Sequence, residues 1–382
     1  MTNVAGISDE DHSKIRRLRE LVKPHLTPYY DTDFNLLRWT QGHNNQSMEE
    51  IASKLIHHLQ LRKCYWGVEE LHKGKRTHPI HNHWKYGITG NSEILDNVIV
   101  NVEQCGRMDY NGMMETHSIS EVMRARLEDL EVMLAQVMEL ERKTGKQAWI
   151  LYVMDVSGLE YNKKLYDLVT GSMRALAEFM AEHYVEMIKF FAPVCVPNFA
   201  YALYTVVRPL LPEKTRDKVR LIPESHWRDE IQKYSKPESL PVGWSDDSHS
   251  FNAKIDTPTK FPVDKFYSEL KLQIPSKAKQ VSVTAGKVHV WKKYLEEGTK
   301  LRFWVTGNRG FGVGCFFSEN EIIENYHVAE QVTPTFAGMP GPTLVPFEDQ
   351  IIARKNGFYH VWVSNERSWW FSLSVHLLVE TD

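Results

Sequence analysis

Between Phe190 and Val207 the chain passes through eighteen residues of which only Asn198 and Thr205 are polar. That length approaches what one helix needs to cross the hydrocarbon core of a bilayer, about 20 residues. Pro193 and Pro197 lie inside the run, however, and Arg208-Pro209 closes it. Proline lacks the backbone donor and its ring collides with the preceding turn, which argues against one continuous spanning helix. The spacing predicts instead a buried strand over about 187–196, then a helix that Pro197 helps to start and Pro209 to end. Phe199, Leu203, Val206 and Leu210 share one face of that helix, as in an ordinary helix lying on a core. Tyr201, Tyr204 and Val207 make much of the opposite side apolar too. A helix apolar nearly all round is buried, or faces something apolar that is not protein.

The rest of the chain sets the context. At 382 residues it exceeds the usual size of one domain, which predicts two. A net charge of −3 supplies no whole-molecule field for nucleic acid or acidic lipid. The opening M-T-N-V-A-G-I-S-D-E-D lacks the charged-then-apolar order of a secretory signal. Gly6 is not at the myristoylation position, and the closing L-V-E-T-D is no prenylation box. Cys64, Cys105, Cys195 and Cys315 stand far apart in apolar or strand-like surroundings, and are read as reduced, structural thiols.

Residues 9–64 read as helices. Ile15, Leu18, Leu21 and Val22 form one stripe, Leu36, Leu37 and Trp39 anchor a second segment, and Ser47 can cap a third carrying Ile51, Leu55, Ile56 and Leu59. Residues 72–96 read as a solvated, histidine-rich loop. His78, His81 and His83 have the composition of a metal clip, but no cysteine or acidic partner stands at ligand spacing, so no metal is expected there. Residues 98–104 alternate as a strand. Ser118 or Ser120 then caps a long helix to Gly145, with Val122, Leu127, Leu130, Leu134, Val137 and Met138 inward and its charges read as a solvated face. A buried strand over 148–154 ends at Asp155-Val156-Ser157-Gly158, where an aspartate at a strand end is a catalytic candidate in a hydrolase. Strands alternating with long helices predict a mostly parallel sheet with crossover helices.

After the polar, turn-rich Ser245–Ser250 the pattern changes to short alternating runs at 270–274, 278–284, 288–294, 301–306 and 311–317, with Gly307-Asn308-Arg309-Gly310 as a hairpin turn. Residues 357–365 and 369–379 supply the last strands, and the whole reads as a β-sandwich. Gly310, Gly312 and Gly314 lie inside a strand with no helix following, so a nucleotide loop is rejected. Trp369, Trp370 and Phe371 fit alternating core positions; exposed, they would offer a contact for a membrane or protein partner.

The segment V-P-N-F-A-Y-A-L-Y-T-V-V-R-P-L-L-P-E-K-T-R-D-K-V resembles the lipid-exchange helix and following turn of the CRAL-TRIO family. Pro197, Tyr204, Arg208, Pro209, Leu211, Thr215 and Lys218 match in register, while Val196, Ala200 and Leu203 depart from the usual Ala, Phe and Ala. Leu36-Leu37-Arg38-Trp39 resembles the start of the family's L-L-R-F-L-R-A-R-K-F signature. The second basic cluster is replaced by Thr40-Gln41-Gly42-His43-Asn44, so His43 stands where relatives hold a phosphate. Glu186 and Lys218, 32 residues apart, have the spacing of the pair that engages the inositol ring in phosphatidylinositol-binding members. Read from chemistry alone, the same pair is a structural ion pair bracing the strand–helix junction, and both readings stay open. The strand ending D-x-x-G is usual in the family and gives Asp155 a structural role. Residues 357–365 resemble the G-x-Y-x-V-x-V-x-N pattern of GOLD domains.

CRAL-TRIO followed by GOLD resembles the supernatant protein factor and tocopherol-associated protein group. The resemblance implies a helical lobe at 1–70, an α/β CRAL-TRIO lipid-binding domain at 71–245, a linker at 246–265 and an all-β GOLD sandwich at 266–382. It implies a cytoplasmic carrier, transiently peripheral on membranes, of a phospholipid, phosphatidylinositol, squalene or tocopherol-like ligand. Phe199, Leu203, Tyr204, Val206, Val207 and Leu210 would line or gate the cavity, Glu186 and Lys218 would meet the headgroup, and His43 a phosphate. Neither catalytic residue, cofactor nor metal is expected, and the nucleophile elbow, zinc-helix and phosphate-loop motifs are missing. The competing reading is a scaffold that uses the GOLD half to bind a trafficking or signalling protein.

Overall fold

The computed structural model describes residues 6–74, 76–160, 162–210, 213–270 and 273–382, without the side chains of Tyr86, Lys164, Val207, Leu210 and Thr215. Three helices open the chain: α1 (Asp9–Val22), α2 (Asp33–Gly42) and α3 (Met48–Lys63). Each begins on a side chain that accepts from an otherwise unpaired backbone N–H: Ser8, Thr32 and Ser47, the last in a reciprocal capping box with Glu50. Ile15, Leu18, Leu36, Trp39, Leu55 and Leu59 are buried between them. The lobe is therefore held by the apolar stripes the periodicity predicts.

The central sheet has four strands in the order β1 (Tyr86–Asn91), β2 (Val98–Glu103), β3 (Trp149–Asp155) and β4 (Ile188–Val194). β2, β3 and β4 are parallel and β1 is antiparallel to β2. Residues 218–223 extend the sheet past β4 through Phe191 N–H to Lys218 O (3.0 Å), Arg220 N–H to Phe191 O (2.8 Å) and Ile222 N–H to Pro193 O (2.9 Å). Between strands run α4 (Tyr110–Thr116), α5 (Ile119–Thr144), α6 (Lys163–Thr170), α7 (Ser172–His183), α8 (Asn198–Val207), α9 (Glu213–Arg216) and α10 (Trp227–Ile231). Alternate residues of the strands enter two cores. Val100, Val102, Leu151, Val153, Ala192 and Val194 face Trp227, Ile231 and Trp244. Ile99, Ile150, Tyr152 and Ile188 belong to the core that α5 and α7 share with the helical lobe.

Two expectations about this region are corrected. The histidine-rich stretch is not a solvated loop: Ile80, His81 and Trp84 are buried, and β1 follows them. The charges of α5 are not all on a solvated face either. Ser118 and Gly145 cap the helix as expected, but Arg126, Asp129, Glu131 and Glu141 are buried. Glu131 accepts from Arg62 (2.8 and 2.9 Å) and from the Tyr184 hydroxyl (2.8 Å). Asp129 meets Arg76 (2.7 Å) and His81 (3.2 Å), and Glu141 holds Arg38. A charge survives burial only when paired and hydrogen-bonded, and these partners come from the helical lobe and the histidine-rich stretch. Burial still raises the carboxyl pKa of Asp129 and Glu141.

A short helix α11 (Tyr267–Leu270) precedes the all-β remainder, so the strand expected at 270–274 begins as helix; residues 271–272 lie outside the described ones. Two antiparallel sheets follow. One joins β6 (Val288–Leu295), β8 (Phe311–Ser318), β9 (Glu330–Gln331), β10 (Phe336–Met339) and β12 (Gly357–Ser364); the other joins β5 (Lys279–Val283), β7 (Lys300–Gly307), β11 (Phe347–Ile352) and β13 (Leu373–Thr381). Val305, Phe303, Phe347, Val361 and Val375 fill the space between them. The sandwich is seated on the helical half. Tyr65 N–H donates to Val332 O (2.8 Å), Ser120 Oγ to Glu348 O (2.9 Å) and Trp66 Nε1 to Asp349 Oδ2 (2.5 Å). The four cysteines are free. No helix among the described residues is long and apolar enough to cross a membrane.

Candidate functional site

The site is built where β4 enters and where the chain leaves α8. Lys218 Nζ lies 2.7 Å from Glu186 Oε2, and about a fifth of each side chain is exposed. Glu186 has a left-handed backbone (φ 53°), a conformation that L side chains adopt only when their surroundings enforce it. The enforcement comes partly from the end of α2. A Cβ on Gly42 would fall 2.1 Å from Val185 Cγ1 and 3.3 Å from Glu186 Cγ, so only glycine lets the helix end press on that strand entrance. His43 caps the same helix, its N–H bonded to Trp39 O (3.2 Å) and its ring 5.7 Å from the Trp39 ring. Burial, then the nearby Lys54 and Lys214, push the His43 pKa down to about 4. At neutral pH it therefore offers an anion an N–H but no charge.

Sequence reasoning missed one member of this group. Lys214 Nζ donates to Gln41 O (2.6 Å), Gly42 O (3.0 Å) and Asn44 Oδ1 (2.9 Å), tying the segment after α8 to the end of α2. The structure thus brings together Glu186, Lys218, His43 and Lys214. The signal for Lys214 in the sequence is only a cation four residues before Lys218.

The apolar helix occupies the place its prolines dictate, with Pro197 as N-cap and a 3-10 turn at Arg208–Leu210. None of its described side chains is buried. Tyr201 and Val206 are 37% and 49% exposed; Phe199, Leu203 and Tyr204 are half-buried. The side chains of Val207 and Leu210, and the whole of Leu211, lie outside the described residues. Other apolar residues of this domain also remain half-buried: Met154 and Phe191 on the sheet, Leu168 on α6, and Met173 and Met180 on α7. All five pack against the core that the sheet and α5 share with the helical lobe. A separate concavity of about 320 Å³ opens on the sandwich, lined by Trp304, Leu344 and Pro346, and shares no residue with this site.

Other candidates find plain roles. Asp155 Oδ2 accepts from Trp244 Nε1 (2.9 Å) and its Oδ1 from Ser157 N–H (2.9 Å), which fixes the strand end. Arg38, from the matched Leu-Leu-Arg, is buried on Glu141 and Ala148 O (2.9 Å). Trp369, Trp370 and Phe371 do not belong to a strand: they are 86%, 86% and 62% exposed on the loop before β13. Beside them Arg367 pairs with Glu178 of α7, and the Arg309 guanidinium lies 4.8 Å from the Phe371 ring.

A profile for the CRAL/TRIO domain matches residues 83–245, the sheet and the α8 region. Residues 267–382 match a domain described as F28H7.8-like, C-terminal, and residues 7–71 a domain of unknown function. The CRAL-TRIO domain-containing protein F28H7.8 of Caenorhabditis elegans is 24% identical over 98% of this chain and 91% of its own. The crystal structure of Sfh5 aligns with 64% of this chain and 94% of its own, at 13% identity and a TM-score of 0.47. Over residues 83–245 the chain is therefore similar to CRAL/TRIO domains.

Proposed function

We propose that the protein carries a hydrophobic lipid in a cleft behind α8 and delivers or presents it at a membrane. The observation that carries the reading is α8 itself: an apolar helix none of whose described side chains the fold buries. Water alone is a poor partner for such a surface, at about 25 cal/mol per Å² of apolar area. A lipid on one side and a bilayer on the other satisfy both faces, and movement of α8 between them is the exchange step. Glu186, Lys218 and Lys214 supply acceptors and donors at the end of the cleft, suited to a polyhydroxylated or phosphorylated headgroup. His43 adds a neutral donor.

The exposed Trp369-Trp370-Phe371 loop extends the reading. Tryptophan rings favour the boundary between headgroups and acyl chains, and beside this loop Arg367 pairs with Glu178 of α7. We assign to the sandwich, as a GOLD-like module, the task of holding the carrier at a membrane in the cytoplasm. Native mass spectrometry of the purified full-length protein, followed by extraction and lipid identification, tests this. One lipid per chain, lost in Leu203→Trp, is the expected result. Protein that is empty and takes no lipid from vesicles would leave the scaffold reading standing instead. If the lipid is phosphatidylinositol, its loss in Glu186→Ala or Lys218→Ala gives the pair a headgroup role; its retention in both makes the pair structural.

A further inference from the structure

Away from α8, His57, His58 and His183 gather where the helical lobe, α7 and the sandwich meet. We propose that His57, Glu182 and His183 bind a divalent transition-metal ion of the zinc class. One ligand atom from each lies within 4.8 Å of the others, and His57 Nε2 is already 3.5 Å from Glu182 Oε1. Zinc bonds of about 2.0–2.2 Å put ligand atoms roughly 3.3 Å apart in a tetrahedron, so small side-chain rotations close the set. Two borderline imidazoles, beside one harder carboxylate, suit zinc over magnesium or calcium.

The surroundings prepare these ligands. Burial lowers the pKa of both His57 and His183, so each ring is neutral at pH 7, the form that binds metal. His183 Nδ1 faces His58 Nδ1 at 3.4 Å; when His183 donates there, its other nitrogen is left with a lone pair. His57 Nδ1 faces the side-chain amide of Gln331 (3.2 Å), which also donates to His57 O (3.1 Å), so an ion on Nε2 moves the ring hydrogen to Nδ1 and displaces the first of these contacts. Glu182 is half exposed, which gives an ion a path from solvent and leaves room for a water as fourth ligand. An ion here would tie α3 to α7, and through Gln331 to the sandwich. Sequence spacing hides this set, because His57 and the Glu182-His183 pair come from different helices.

The test uses full-length protein, stripped with a chelator and titrated with zinc chloride against a chromophoric competitor. We expect about one ion per chain, a rise in thermal midpoint with zinc, and affinity at least about tenfold weaker in Glu182→Ala. His57→Ala should abolish binding. If that variant fails to fold, Glu182→Ala, at an exposed carboxylate, still decides. His83→Ala, in the histidine-rich stretch, should bind as the unchanged protein does. Stoichiometric binding that persists in Glu182→Ala but vanishes in His83→Ala, or no stoichiometric binding at all, overturns the proposal.

Discussion

α5 and α8 invert the usual relation between polarity and burial. α5 carries Arg126, Asp129, Glu131 and Glu141 into the interior, while α8, with two polar residues in ten, keeps Tyr201 and Val206 in water. Each buried charge of α5 has a partner supplied by another part of the chain, so α5 is the post on which the lobes are assembled. α8 has little that it alone contributes to the fold. On the proposed function, stability and exchange fall to different helices, and changes in each should produce different losses.

The largest expected effect is on α5. Glu131→Ala leaves the buried Arg62 without its bidentate partner, and should destabilise by about 3–5 kcal/mol in urea titrations. A loss no greater than that of α8 variants would break the contrast. At the junction, Lys218→Ala removes one charged hydrogen bond from a pair that is partly exposed, and about 1 kcal/mol is expected.

Acid provides a third comparison. His43 binds a proton only near pH 4 when folded, whereas an unfolded histidine does so near about 6.5. Between these values the unfolded chain holds more protons, so stability falls as the pH drops through the window and recovers as it rises. His58 and His183, also lowered by burial, act in the same direction. His43→Gln should therefore flatten the slope of urea midpoint against pH only in part. The smallest stability effect belongs to α8: Val206→Ser should change unfolding free energy by no more than about 0.5 kcal/mol while reducing lipid loading. Trp369→Ala with Trp370→Ala should likewise leave stability alone and weaken vesicle binding severalfold.

What the sequence made legible was whatever is encoded locally. Prolines bracket α8, Ser118 and Gly145 bracket α5, and the spacing of Glu186 and Lys218 anticipated a contact that forms. The burial of Glu131 was hidden because it depends on Arg62, 69 residues away. β1 was hidden because Gly87 and Gly90 interrupt its alternation, and its pairing is decided by β2. Trp369, Trp370 and Phe371 read as the start of a strand, yet the register with β5 begins only at Leu373. An apolar run states a preference; only its neighbours decide whether the preference is met.

Residues 191–196 and 218–224 lie side by side: Val196 N–H bonds Ile222 O (3.0 Å) and Glu224 N–H bonds Val196 O (3.3 Å). Both posts of the segment carrying α8 thus stand in one wall, stitched to each other. Whatever excursion the helix makes, its ends stay neighbours, and no other strand has to be unzipped for it. The chain-entropy cost of bringing those ends together is already met by the sheet, and is the same with α8 in or out. If α8 moves as proposed, the segment is hung as a door with both hinges on the same jamb, and the house does not shift when it opens.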